Sequence, residues 1–176
     1  MPGPAFLTGE RISLHTVEES DLEFLQAGVN DPAVREYLTL RRPVNRADER
    51  EFLEAQVQGD DQIHLLVVGA DGPAGTVGLG PIEADAGRAE IGIWLQEKDW
   101  GRGYGREASR LLVTHGFEAL RLHRIEAQVL AGNEASRALW ESLGFEHEAV
   151  HREAAYLQGE YVDVHRYAVL ETEWAA

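Results

Sequence analysis

The segment from Trp100 to Ala108, WGRGYGREA, places three glycines at alternate positions between two different patterns. Residues 89–95 before it have the apolar character of a strand, and apolar side chains recur after it at helical spacing. The segment therefore predicts a strand-to-helix turn, where the first N–H groups of the helix have no internal partner. Glycine allows close approach to such a backbone, and the helix dipole favours an anion there. We predict a phosphate-binding turn; the alternative is a solvated arginine face beside a glycine-rich loop.

Three arginines support a bound anion at this turn, and two familiar phosphate motifs do not account for it. Arg102, Arg106 and Arg110 follow one another at intervals of four residues. Cations in a first helical turn oppose the dipole at about 0.3–1 kcal/mol each, a cost that a bound anion offsets. The segment lacks the Lys-Ser or Lys-Thr pair of a Walker loop. From Gly103 it matches the dinucleotide pattern G-x-G-x-x-G/A, but no second βαβ half follows, so that match is weak.

A second motif, NEASRALWESLGF, occupies residues 133–145. RGYGREA and this motif resemble the two signatures of the GNAT superfamily of N-acetyltransferases, and most closely its RimJ/RimL-like branch. The N-terminal pattern L-x-G-E-R-I-x-L, followed by D-L-x-x-L, resembles the same branch. The resemblance implies an N-acetyltransferase with acetyl-CoA as co-substrate, and it covers nearly the whole chain. It also implies one GNAT-like domain over residues 1–176.

The periodicity of the chain agrees with such a fold. A capping-box pattern, Thr16-x-x-Glu19, predicts the start of the first helix, and Asn133 is the predicted N-cap of the helix that ends at Gly144. Apolar patterns predict a helix at 46–58 and strands at 6–15, 62–69, 76–82, 89–95, 122–130, 146–157 and 160–172. The fold class expected is α/β (α+β mixed sheet), a central mixed and mostly antiparallel sheet flanked by helices.

Acyl transfer to an amine needs a neutral amine, a polarised thioester and a proton for the leaving thiolate. Glu90 is the predicted general base, acting directly or through water, because many GNAT enzymes carry a glutamate on the strand before the phosphate turn. The alternative is a solvent-facing strand glutamate. The chain has no cysteine, so direct attack in a ternary complex is expected rather than a covalent acetyl-enzyme.

The predicted proton donor is Ser136. Many GNAT enzymes use a tyrosine seven residues after the motif's asparagine, but that position is Trp140 here, and an indole N–H is no practical acid. Ser136 is the RimJ/RimL-like substitute; its alternative is an ordinary serine in the first turn of a helix. The loss of the tyrosine also leaves open a domain that binds acyl-CoA without catalysis.

The same resemblance implies the acetyl-CoA contacts. Backbone amides near Ile93 and Leu95 would bind the pantetheine arm, and one of them would polarise the thioester carbonyl. Asn133 would contact the pantetheine or acetyl end, whether or not it also caps a helix. Backbone N–H groups would hold the pyrophosphate at Arg102, Gly103, Tyr104, Gly105 and Arg106.

A competing motif, HEAVH at residues 147–151, matches the zinc-protease pattern H-E-x-x-H. That pattern requires a helix and a third ligand, whereas this copy begins three residues after a helix-ending glycine, in a predicted strand. We therefore predict a chance match and no metal site.

Charge and hydropathy bear on partners and location. The net charge of −15 disfavours nucleic acid and anionic membranes, whose phosphates it would repel. No apolar run could span a membrane and no signal peptide is evident, so a soluble, cytoplasmic protein is expected. A single lysine among 16 basic residues, with 31 acidic ones, favours a salt-adapted (halophilic) source over an ordinary acidic bacterial protein.

The acceptor is an amine whose identity the residues do not specify. RimJ/RimL-like proteins acetylate N-terminal α-amino groups of ribosomal proteins, so a protein N-terminus is the first expectation. Relatives acetylate polyamines, amino acids or antibiotics, so a small amine is the alternative. A homodimer is common in the family and is the candidate assembly.

Overall fold

The computed structural model describes residues 2–175, apart from the side chains of residues 56–58. Its helices are α1 Leu22–Asn30, α2 Pro32–Leu38, α3 Arg46–Gln58, α4 Tyr104–Glu118 and α5 Glu134–Ser142. Its strands are β1 Ala5–Thr8, β2 Ser13–Thr16, β3 Ile63–Gly69, β4 Gly72–Leu79, β5 Arg88–Leu95, β6 Arg124–Leu130, β7 Glu146–Leu157 and β8 Glu160–Leu170. None of these helices is long and apolar enough to cross a membrane.

The eight strands form one sheet in the order β1-β2-β3-β4-β5-β6-β8-β7. Only β5 and β6 run parallel; the other six neighbouring pairs are antiparallel. The helix α4 connects the two parallel strands, because a parallel pair needs a long crossover rather than a tight turn. The predicted α/β class, with a mixed and mostly antiparallel sheet, is confirmed.

Helices cover both faces of the sheet. On one face α4 contributes fully buried side chains, including Leu112 and Val113, to the main core. On the other face α1 packs on β5, where Phe24 stacks on Trp94 with ring centroids 5.9 Å apart. Gly28 permits this packing, because a Cβ there would lie 2.3 Å from the Trp94 ring. The two layers leave the end of β5 between α1 on one side and the start of α4 on the other.

Two local predictions are wrong. The strand predicted at 6–15 is two strands, because the chain turns back after Thr8. A carboxylate oxygen of Glu107 in α4 accepts the N–H groups of Glu10 and Arg11, at 2.5 and 3.0 Å, and so holds that turn. The capping box is not formed by Thr16 and Glu19. It lies two residues later, where Asp21 accepts the backbone N–H of Glu18 at 2.9 Å.

Other predicted elements are confirmed. The helix at 46–58 has both ends as expected, and the last two strands flank the turn at 158–159. Asp31 accepts the N–H of Ala33 and caps α2, where the sequence Asn-Asp-Pro predicts a break between two helices. These features depend on neighbours in the chain, so the local pattern is sufficient to predict them.

His64 on β3 makes the stability depend on pH. Burial lowers its pKa from 6.5 to about 4, and Phe52 of α3 packs edge-on against its ring at 5.5 Å. Below pH 6.5 the unfolded chain therefore takes up a proton that the folded protein resists. The His64 contribution to stability is complete above pH 6.5 and is lost as the pH falls towards 4. We expect the loss to be about 2–3 kcal/mol by pH 4.5.

Urea unfolding at pH 7 and pH 4.5 measures this contribution. The substitution His64→Gln should reduce the loss of unfolding free energy between the two pH values by about 2 kcal/mol. The control His123→Gln removes one imidazole whose side chain is 60% exposed. Equal losses in the wild-type protein and in His64→Gln would show that His64 does not cause the acid sensitivity.

Candidate active site

The glycine turn is an uncapped helix N-terminus. Gly103 is the N-cap of α4, with φ at +82°, and no side chain caps the helix. The first bond of α4 runs from the N–H of Glu107 to the C=O of Gly103 at 3.1 Å. The N–H groups of Tyr104, Gly105 and Arg106 precede that bond, so they are available to an anion. The turn therefore fits a phosphate or diphosphate group.

The arginine side chains at the turn have different partners. Arg102 pairs with Asp71 and Asp99, at 2.9 Å each, and lies over the Tyr104 ring at 4.8 Å. Hydrogen bonding to Asp71 raises the pKa of Arg102 above its ordinary value. Arg102 thus braces the turn through its side chain and can contribute its backbone N–H to a ligand.

Arg11 adds a cation that sequence reasoning missed. It lies in the β1–β2 turn and donates to the C=O of Arg102 at 3.3 Å. Its guanidinium occupies the space above Gly103, where a Cβ would come within 2.6 Å of it. No local signal could have found this contact, because 91 residues separate its two partners.

The second half of β5 has an open edge. Its even-numbered residues bond to β4, since Glu90 C=O accepts from Gly80 and Gln96 N–H donates to Ala74, both at 2.8 Å. Hydrogen bonding alternates along an antiparallel pair, so the N–H groups of Ile93 and Leu95 point the other way, towards β6. The register between β5 and β6 ends three pairs into the ladder, at Glu90 and Glu126. The two strands then separate, which leaves those N–H groups on a cleft.

The helix α5 joins this cleft to the glycine turn. Its N-cap Asn133 follows β6 after a two-residue turn; it donates its N–H to the C=O of Leu130 at 3.0 Å and its side chain accepts the N–H of Ser136 at 3.1 Å. At its other end, Arg106 of the turn donates to the C=O of Ser142 at 3.4 Å. The predicted N-cap is confirmed, and the fold brings the two sequence motifs together.

Ser136 has a partner that the sequence motif alone did not reveal. The indole N–H of Trp140 donates to the Ser136 hydroxyl oxygen at 3.1 Å. Trp140 is 2% exposed and packs on Phe145, with centroids 5.0 Å apart. Positions four apart share a helix face, so the contact could have been inferred from spacing.

Glu90 lies in a polar network on the face opposite α4. Gln128 of β6 donates to both carboxylate oxygens at 2.8 and 2.9 Å, and Arg166 of β8 donates to one of them at 3.2 Å. Arg166 also bonds Glu126 at 3.2 Å. The Glu90 side chain is 34% exposed, so its carboxylate is neither free in solvent nor sealed in the core. Its partners lie on two other strands, so the local sequence pattern could not predict them.

The HEAVH segment lies in β7 and therefore lacks the helical spacing of the zinc-protease motif. Glu148 forms a bidentate pair with Arg124, which lowers the pKa of that carboxyl group. His147 instead bonds His165, nitrogen to nitrogen, at 3.0 Å. Within residues 2–175, no three histidine or acidic side chains are grouped as metal ligands.

A groove of about 470 Å³, here called the hairpin groove, separates α2 from the tip of the β7–β8 hairpin. Arg35, Arg41 and one carboxylate side chain, Glu36, line it. Arg41 holds the hairpin by donating to the C=O of Tyr156 at 2.7 Å, and Glu36 accepts a hydrogen bond from Gln158 at 2.6 Å. Neither guanidinium is paired with a carboxylate in the described part of the chain. The hairpin continues past the end of β6, and α2 follows the helix that packs on Trp94. The groove therefore lies at the same end of the sheet as the cleft.

Comparison with known proteins decides the family. A family model described as an acetyltransferase (GNAT) domain matches residues 11–146. The chain belongs to the GNAT family. A relative in Bacillus licheniformis named "Uncharacterized N-acetyltransferase p20" is 32% identical over 171 residues, which cover 94% of this chain and 96% of the relative.

Solved GNAT structures share the fold. The spermidine N-acetyltransferase of Vibrio cholerae in complex with CoA and spermine superposes with a TM-score of 0.88 at 23% identity, covering 94% of this chain and 98% of that one. RimL, a ribosomal L7/L12 α-N-protein acetyltransferase in complex with coenzyme A, has a TM-score of 0.84 at 24% identity, covering 95% and 98%. At these identities the likeness shows the fold alone.

The expected enzyme class is thereby confirmed. This GNAT protein is an acetyl-CoA-dependent acetyltransferase, and acetyl-CoA is its co-substrate. The residues present fit that molecule, because the uncapped turn at Gly103 suits a diphosphate and the open edge of β5 suits an extended amide-bearing arm.

Proposed function

We propose that this GNAT enzyme acetylates the α-amino group of a protein or peptide N-terminus by direct attack in a ternary complex. The observation that carries the proposal is the pair of guanidinium groups, Arg35 and Arg41, which outnumber the single carboxylate, Glu36, in the hairpin groove at the cleft end of the sheet. A polyamine would bring several positive charges to that groove, whereas a peptide N-terminus brings one and can carry carboxylates. Like charges 4 Å apart repel by about 1 kcal/mol in water and about 4 kcal/mol at a protein surface.

The net charge of −15 acts in the other direction, since it attracts any cationic amine from a distance. That attraction does not discriminate among amines and is screened beyond about 10 Å at 0.1 M salt. The groove acts at contact range, where screening is weaker. We therefore expect the local arginines, rather than the net charge, to determine which amine is preferred.

The cofactor contacts follow the geometry of the cleft and the turn. Bound acetyl-CoA supplies an activated acyl carbonyl and a thiol leaving group. In the proposal, Ile93 and Leu95 offer N–H groups along the open edge of β5, one of them to the acyl oxygen. Asn133, which stands where β6 ends, lies beside the same arm. The diphosphate is held by the N–H groups of Arg102, Gly103, Tyr104, Gly105 and Arg106.

Two side chains carry the proton transfers in the proposal. Glu90 takes the proton of the incoming ammonium, directly or through a water molecule, on the face opposite α4. Gln128 and Arg166 keep its carboxylate in one orientation while it does so. Ser136 gives a proton to the departing sulfur as the carbon–sulfur bond breaks and its electron pair stays on sulfur. The nitrogen of the tetrahedral intermediate loses its second proton in the same step, and that proton returns through water to the Ser136 oxygen, so the one proton released overall is the one that Glu90 took.

Reversing a charge in the hairpin groove tests which class of amine is the preferred acceptor. Arg35 is exposed and holds no other element in place, so Arg35→Glu changes the charge with little effect on packing. We expect the kcat/KM for spermidine, relative to that for a peptide with a free N-terminus, to rise about 3–10-fold at low salt. Release of free thiol from acetyl-CoA measures both rates.

The matched control is Arg46→Glu, an equal charge change at an exposed position at the start of α3. It should leave the ratio of the two acceptors as in the wild-type protein. The same ratio in Arg35→Glu and in the control, or a wild-type protein that prefers spermidine, would contradict the proposed acceptor. If the protein binds acetyl-CoA but releases no thiol in the presence of any amine, the non-catalytic alternative would be favoured.

A further inference from the structure

We propose that Trp140 is a positioning residue for the proton donor Ser136, acting through its indole N–H. Trp140 occupies the place of a catalytic tyrosine in many GNAT enzymes, and it takes no part in the proton transfers described above. The inference rests on the proposed role of Ser136. It gives the tryptophan a function in the reaction that packing alone does not require.

The hydrogen bond between the two side chains has only one direction. An indole nitrogen can donate and cannot accept, so at 3.1 Å the Ser136 oxygen must be the acceptor. No described group accepts the Ser136 hydroxyl hydrogen. The bond from Trp140 thus occupies one lone pair and leaves the hydrogen free to point to a ligand.

The donor itself is held firmly. Trp140 is 2% exposed, lies one helical turn after Ser136 on α5, and packs against Phe145. Asn133 fixes the other end of the serine by accepting its backbone N–H. A serine hydroxyl near a helix start otherwise rotates freely or bonds a carbonyl of the preceding turn. The indole therefore restricts a hydroxyl that would have several orientations of similar energy.

The same bond assists the chemistry of the serine. A hydroxyl that accepts a hydrogen bond becomes a stronger donor, because hydrogen bonds in a chain polarise one another. The indole N–H also stabilises the negative charge that grows on the Ser136 oxygen as its proton leaves. We expect loss of the N–H to lower the rate of the chemical step about tenfold, on the scale of one hydrogen bond to a charged group.

A double-mutant cycle separates this role from simple packing. Trp140→Phe keeps an aromatic ring and removes the N–H, whereas Trp140→His keeps an N–H at the corresponding ring position. In single-turnover thiol release we expect Trp140→Phe to be about tenfold slower. The KM for acetyl-CoA should be unchanged, and Trp140→His should recover part of the rate. In a Ser136→Ala background, neither substitution should change the rate further.

Three results would overturn the inference. One is an equal loss from Trp140→Phe with and without Ser136, which would mean a structural role. Another is a loss confined to KM. The third is full activity in Ser136→Ala, which would also remove Ser136 from the proposed mechanism and would so be distinguishable from the first two.

Thermal unfolding of each variant shows whether it folds. If Trp140→Phe does not fold, 3-benzothienylalanine at position 140 keeps the shape of the indole without its N–H. The tenfold loss and its dependence on Ser136 are then expected in that protein; a wild-type rate there would equally overturn the inference.

Discussion

Replacing Ser136 with alanine is expected to lower kcat by about 100-fold or more, the scale of general acid catalysis, while acetyl-CoA still binds. The substitution removes the hydroxyl that accepts the Trp140 N–H at the start of α5. In the proposed mechanism the leaving sulfur then loses its proton donor. Steady-state thiol release gives kcat, and calorimetric titration gives the affinity for acetyl-CoA.

The control is Ser142→Ala, the same chemical change at the far end of α5. The Ser142 hydroxyl donates to the C=O of Leu139 at 2.7 Å and is exposed. That variant should retain the wild-type kcat. If Ser136→Ala and Ser142→Ala had the same kcat, Ser136 would not be the proton donor.

Glu90→Gln provides a comparison with a different pH dependence. A general base matters most where the amine is protonated, below its pKa of about 7.7–8.0 for an α-amino group. The loss of rate in Glu90→Gln should therefore be largest near pH 6–7, and it should diminish as the pH rises above about 8. The Ser136→Ala loss should not diminish in that way, because the sulfur needs its proton whatever the state of the amine. Identical profiles would contradict the two assigned roles.

Gly103→Glu is expected to weaken acetyl-CoA binding by at least about 100-fold, or roughly 2.7 kcal/mol, because it places a carboxylate at the proposed diphosphate site. The backbone at Gly103 has φ at +82°, and a Cβ there would press on the Arg11 guanidinium at 2.6 Å. Backbone strain and the displaced cation therefore add to the charge effect. Calorimetric titration in low and high salt measures the affinity.

Gly159→Glu is the matched control for this substitution. Gly159 also has a positive φ, +91°, and a Cβ there would meet nothing within 4 Å. It lies at the tip of the β7–β8 hairpin and so carries a similar strain and the same charge away from the turn, and the affinity for acetyl-CoA should stay near the wild-type value. Wild-type affinity in Gly103→Glu, with the protein folded, would show that the turn does not hold the diphosphate.

Features that depend on neighbours in the chain were predictable from the sequence. The glycine turn, the N-cap at Asn133 and the helix at 46–58 each follow from a few adjacent residues, and the structure has them where they were expected. The GNAT family also followed from two short motifs, since each has a fixed spacing along the chain.

Contacts between distant segments were not predictable in the same way. The split of the first strand depends on Glu107, 97 residues from Glu10, and the polar network at Glu90 depends on Arg166, 76 residues away. A pattern of apolar residues carries no information on which distant side chain accepts a backbone N–H. The contact of Arg11 with the glycine turn was not predictable for the same reason.

The sequence by itself therefore determined the family, the fold class and the residues at the start of α4 and α5, because turns and helix caps are local in the chain. Only the tertiary structure decided how the site is assembled. The separation of β5 from β6 beyond Glu90 exposes the N–H groups of Ile93 and Leu95. Packing of α5 beside the turn and of the hairpin beside α2 then brings Ser136 and the hairpin groove to that cleft. The local pattern does not predict these arrangements, because each joins segments that are distant in the chain.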